Sequence, residues 1–199
     1  MTKSESKYFN TAEKMNQAFF TLIEKKDYDY ITIKDVCKEA GVNRSTFYLH
    51  YETMNDLLEE SVQNSIKKLT QYMNPESLKV MEKIKTCDLK ELYFITPEYL
   101  IPYLTYIKNN QKIYRLFFQK ATMLHLDQQL QYTFQDILMP ILERYHVPIK
   151  DRDYLVTFCI SGLTGIVKVW LKHDCQDDIS HVSDLMQHMI KKVNMDLEG

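Results

Sequence analysis

Four successive residues, Asn43, Arg44, Ser45 and Thr46, set an amide, a guanidinium and two hydroxyls side by side. Side chains of these types can read base edges in a DNA major groove, where arginine pairs bidentately with guanine and small hydroxyls serve bases or phosphates. Phe47, Tyr48 and Tyr51 follow at once. Rings crowded so closely belong either to a core or to a partner's surface. A second cluster, HDCQDDISH, gathers His173, Asp174, Cys175, Asp177, Asp178 and His181. No pair of the HExxH kind fixes ligand geometry there, so it reads as a helix end, a loop and an N-cap rather than a metal site. The chain has no GxSxG, Walker loop or GxGxxG and its scattered histidines form no triad, so neither an enzyme nor a resident cofactor is expected.

The elements that must hold Asn43 to Thr46 are short. From Tyr8, the residues Ala12, Met15, Phe19 and Leu22 recur at the spacing of one helical face, which predicts a first amphipathic helix ending in EKKDYDY. Thr32 then caps a short helix carrying Val36 and Ala40. Gly41 stops it, because glycine tolerates the left-handed conformation that closes a helix, and Asn43 caps the next. Thr53 caps a long helix over about 53–73, striped by Leu57, Leu58, Val62, Ile66, Leu69 and Met73 and ended by Asn74 and Pro75. The expected organisation is 1–74 and 75–199, with that helix linking the two.

Composition agrees with helices. Only 4 glycines and 5 prolines occur in 199 residues, and 45% of the chain is hydrophobic. An all-α protein is the expectation. Cys37, Cys87, Cys159 and Cys175 show neither CxxC pairing nor zinc-finger spacing, which points to free thiols and the cytoplasm. No signal-peptide core is present and no window approaches an uninterrupted membrane span, so no membrane is expected. The net charge of -2 counts against nucleic acid. Residues 1–50 carry eight Lys and Arg against seven Asp and Glu, so any phosphate grip must come from local placement.

A short helix, a glycine turn and a second short helix form the signature of a helix-turn-helix DNA reader. The run ITIKDVCKEAGVNRSTFYLHYETMNDLLEE resembles, nearly position for position, the N-terminal region of the TetR family of bacterial transcription regulators. The resemblance covers about residues 8 to 62. It implies an N-terminal three-helix DNA-binding domain and a larger helical domain that holds a small-molecule effector. It also implies a homodimer through the last two long helices, about 152–173 and 179–193. By the same resemblance Thr32 holds a phosphate through its hydroxyl and backbone amide, and Tyr48 and His50 contact phosphates. Phe47 and Tyr51, four apart, read instead as packing under the motif.

Three positions depart from the family pattern. Met54 stands where a lysine is common, Glu52 adds a carboxylate beside it, and Cys37 replaces a small alanine. Cys37 reads as a buried thiol, with a redox sensor as the other reading. The implied function is a ligand-responsive repressor released from a palindromic double-stranded operator by a small molecule. The alternative is a co-regulator that works through protein contacts without reading DNA.

About nine helices are expected in total. After the linking helix come segments over Ser77–Ile84, Pro97–Ile107 and Gln111–Gln119, then Met123–Tyr145 with a bend at Pro140. Pro102 either starts or kinks its helix. The helix over 152–173 is apolar nearly all round, which suits either a helix central to its own domain or one with one face on its own core and another on a twin, where Gly162 and Gly165 would permit close approach. Rings between Tyr93 and Phe134 serve either as core or as an effector pocket.

Overall fold

The structure, a computed structural model, describes residues 3–73, 84–88 and 96–195. Its chain divides into two compact units, 1–65 and 66–199. Residues 74–76, where the sequence places the boundary, lie outside the described residues, as do most of Ser77–Ile84 and the rings of Tyr93 and Phe94. Every regular element among the described residues is helical.

In the first unit, α1 spans Lys3–Lys25 and a 3-10 turn follows at Tyr28–Tyr30. Next come α2, Ile33–Ala40, and α3, Arg44–Tyr48, and then α4, Met54–Met73, which runs on into the second unit. Met15, Phe19, Val36, Phe47, Leu57, Leu58 and Val62 are completely buried. Their burial brings the apolar faces of α1, α2, α3 and α4 into one core, which is what stabilises helices too short to stand alone. Tyr8, read as part of the α1 stripe, is about half exposed, because its ring lies at the edge of that core on His50. The Tyr28 hydroxyl donates to Asn55 Oδ1 at 2.8 Å, fastening the 3-10 turn to α4.

The second unit contains α5, Pro97–Asn109, α6, Gln111–Gln119, α7, Leu126–Arg144, α8, Ile149–Lys172, and α9, Ile179–Met195. Pro97 occupies the first turn of α5, where a missing N–H costs nothing, and Pro102 sits inside the helix rather than starting it. A turn ending in His125 at φ 47° delays α7 to Leu126, three residues after the expected start, and the helix is continuous through Pro140. Leu104, Ile107, Phe117, Leu124, Ile141, Val156, Val167 and Leu171 form this unit's core. The Arg144 guanidinium donates to the carbonyls of Ile84 and Cys87, pinning that segment to the end of α7. Among the described residues, α8 is long and apolar enough to cross a membrane by length and composition. One side of it, from Val156 through Cys159, Ile160, Thr164 and Val167 to Trp170 and Leu171, is nevertheless buried in its own unit.

Candidate nucleic-acid interface

Two caps and one turn fix the geometry of α2 and α3. At the start of α2 the Asp35 amide donates to Thr32 Oγ1 at 3.2 Å, and the Thr32 amide donates back to Asp35 Oδ2 at 2.9 Å, a reciprocal capping box. The Thr32 hydroxyl also donates to Asp35 Oδ2 at 2.6 Å, and Lys26 Nζ reaches the same oxygen at 2.8 Å. Hydrogen bonds from Lys26 first, then from the Thr32 hydroxyl and amide, hold the Asp35 carboxyl well below the usual carboxylate range. Both Thr32 donors named for a phosphate are therefore satisfied by Asp35 in the free protein.

Gly41 closes α2 at φ 67°, ψ 34°. The Val42 amide donates to the Cys37 carbonyl at 2.9 Å and the Gly41 amide to Lys38, the paired bonds of a Schellman stop. A side chain at this φ would be strained, so glycine is what allows the chain to reverse within three residues.

Asn43 then caps α3. Its Oδ1 accepts from the Thr46 amide, the Thr46 hydroxyl and the Ser45 hydroxyl, each at 2.7 Å. With their protons committed to Asn43, the two hydroxyls have lone pairs to offer, which suits them to accept from the amino groups of adenine or cytosine. Arg44 is exposed and makes one long bond, 3.4 Å, to the Tyr48 hydroxyl. Its fork keeps the donors that a guanine edge requires.

Phe47 and Tyr51 are buried with ring centroids 5.4 Å apart, so these aromatics pack beneath the motif while Tyr48 is exposed beside them. Cys37 is buried as well, and that burial pushes its thiol up in pKa. A protonated, enclosed thiol is a packing residue.

Residues 18–61 match the model described as bacterial regulatory proteins, tetR family, and residues 96–192 match one described as a transcriptional regulator C-terminal region. The chain belongs to the TetR family. Over 106 residues it is 32% identical to an uncharacterized HTH-type transcriptional regulator, YxbF, of Bacillus subtilis (strain 168). That stretch is 47% of this chain but 28% of the relative. In fold it is similar to the dihydroxyacetone kinase operon activator DhaS, with a TM-score of 0.60 at 17% identity, over 91% of this chain and 96% of that one.

Within this TetR-family motif, His50 is placed differently from the other named residues. Its ring stacks on Tyr8 with centroids 3.9 Å apart, its Nδ1 is buried without a hydrogen-bond partner, and its amide donates to the Phe47 carbonyl at 2.9 Å. Burial lowers its pKa, against an opposing pull from Glu60. Neither the amide nor Nδ1 is on offer to a partner. At the start of α4 the Asp56 carboxylate takes the amides of Glu52 and Thr53, and Thr53 Oγ1 accepts from the Asp56 amide at 3.3 Å. Thr53 thus caps α4 as its type and spacing predict. Leu49, which no motif singles out, is 75% exposed directly after α3. Only the burial of its neighbours reveals that it points outward.

Proposed function

We propose that this TetR-family chain is a ligand-responsive, DNA-binding regulator of transcription, a homodimer that acts as a repressor released from a palindromic operator by a small molecule. The observation that carries the DNA reading is the short helix α3. Asn43 caps it, Phe47 anchors it, and Arg44 and Ser45 are exposed along it. A recognition helix of this kind enters a major groove with its N-terminal side chains on base edges. Arg44 is assigned to guanine, Ser45 and Thr46 to base amino groups, Asn43 to the cap and an amide contact, and Tyr48 to phosphate. Thr32 grips a phosphate once the anion displaces Asp35, leaving His50 with a packing role and at most an edge contact.

Dimerisation is supported by the outer face of α8. Tyr154, at 78% exposure, Phe158, at 60%, Gly162, Gly165 and Val169 follow one another at steps of four, four, three and four. A Cβ built on either glycine meets nothing within 4 Å, so a second helix has room to approach. Leu185 and Met189 add exposed apolar groups on α9. Effector binding is supported by Tyr114, whose buried hydroxyl lacks a hydrogen-bond partner while Tyr103 and Tyr106 lie near it. A molecule that is largely apolar and carries one acceptor would satisfy that hydroxyl. The effector acts through α4, which belongs to both units, and must bind one conformation better than the other to shift it.

The co-regulator reading is favoured by one observation. The Thr32 donors are taken by Asp35 and Met54 supplies no cation, so the phosphate grip is thin. Selection from random duplex DNA, followed by titration at several salt concentrations, separates the two. A DNA reader yields one enriched palindrome and a binding constant whose logarithm falls linearly with log salt. Failure to enrich any sequence leaves the co-regulator.

A further inference from the structure

Leu49 is an apolar side chain turned outward at the end of the short helix to which the DNA reading assigns the base contacts. Its backbone continues the turn of α3, at φ −74° and ψ −20°, and its amide donates to the carbonyls of Ser45 and Thr46 at 3.2 and 3.3 Å. At about 100° per helical residue, Leu49 lies about 200° round from Phe47, opposite the buried side. Ser45, four residues earlier, shares that outermost line. The face that carries Ser45 to the base edges therefore carries Leu49 with it, and Leu49 and Tyr30, at 75% and 74%, are the most exposed of the described large apolar side chains in the first unit.

Leucine has no donor or acceptor for a phosphate or for the polar edges of a G·C pair. Covering those edges would strip water from groups it cannot bond. Within the major groove, the apolar feature that a base presents is the 5-methyl group of thymine. We propose that Leu49 reads a thymine methyl in the DNA beneath α3, so that recognition combines polar contacts at Arg44 and Ser45 with one apolar contact four residues along. This inference rests on the DNA reading above and adds a chemical requirement to it.

The test uses duplexes selected from a random library by the full chain, resynthesised with deoxyuridine replacing thymidine one position at a time. Loss of the methyl at one position in each half-site should weaken wild-type binding about fourfold per half-site, the worth of one buried methyl group. Leu49→Ala should bind the thymidine and deoxyuridine duplexes equally, and Leu49→Met should restore the difference. The side chain is exposed, so both variants should fold, as their thermal melts would show. Equal binding of both duplexes by the wild type, or an undiminished preference in Leu49→Ala, overturns the proposal while leaving DNA binding standing. Enrichment of no duplex overturns the DNA reading and this proposal with it.

Discussion

Around α3 the exposed side chains are mostly polar and already bonded to one another, with Asn43 gathering Ser45 and Thr46, and Arg44 touching Tyr48. Along α8 an apolar line of Tyr154, Phe158 and Val169, with Gly162 and Gly165 between, runs among exposed polar residues such as Asp153, Thr157, Ser161 and Lys168. The first surface is complete in water and exchanges its hydrogen bonds one for another when it meets a partner, so little net energy is gained except where the match is correct. The second exposes apolar area that water penalises, so covering it is favourable whatever the detailed fit. One surface is thus suited to discrimination, the other to permanent association.

The largest effect expected from breaking that contrast is on α8. Phe158→Asp places a charge in the middle of the apolar stripe without disturbing the buried side of the helix. Sedimentation should show the variant at half the mass of the wild type. Its operator affinity should fall by about 10²–10⁴, the gain from linking two binding modules. An unchanged mass would mean that the stripe is not where two copies meet.

On α3 the effects should be smaller and dependent on sequence. Arg44→Ala should cost about 1–3 kcal/mol on the preferred operator and relax choice at one base pair, while Tyr48→Phe lowers affinity for every duplex alike. Competition binding against single-base variants of the operator measures both. Equal losses on selected and random DNA for Arg44→Ala would remove its base-reading role.

How far the sequence carried these surfaces follows from what holds each one. The caps at Thr32, Asn43 and Thr53 and the stop at Gly41 depend on partners within five residues, so residue type and spacing were enough to find them. Phe47 and Tyr51 were readable for the same reason. His50 was not, because its inward turn depends on Tyr8, more than 40 positions away. The three donors on Asn43 and the use of both Thr32 donors by Asp35 required side-chain directions that spacing leaves open. In the second unit the late start of α7 turns on a left-handed His125, a conformation that non-glycine residues adopt rarely and that no residue type announces. Leu49 lay in full view inside the motif, yet its exposure is set by which neighbours are buried.

Stability should separate the cap residues from the reading residues. Thr32→Ala removes the side-chain acceptor of the Asp35 amide and a hydroxyl donor to Asp35 Oδ2, and should lower unfolding free energy by about 0.5–2 kcal/mol in urea melts. Arg44→Ala should leave the same melts unchanged within about 0.5 kcal/mol, because the exposed guanidinium supports no buried contact. Were the two variants equally destabilised, α3 would be held together by its reading face and the contrast between scaffold and surface would fail.

The smallest effect concerns the charge that links the cap to Lys26, just past the end of α1. Asp35 accepts from Lys26 and from both Thr32 donors, which favours its ionised form and depresses its pKa below that of the unfolded chain. Because the folded-state value is the lower one, the stabilisation is complete above the unfolded carboxylate pKa of about 3.9 and fades as pH falls below it. Asp35→Asn keeps an acceptor for the cap but removes the charge. The wild type should therefore melt higher than Asp35→Asn by a constant margin from pH 8 to about pH 5, and the margin should begin to narrow below about pH 4 and close only as pH falls toward the depressed folded-state value. Solvent screening around this exposed group keeps the margin small, and added salt should shrink it further. Parallel melting curves down to pH 3 would show that Asp35 serves the cap through its geometry alone, with no contribution from the Lys26 ion pair.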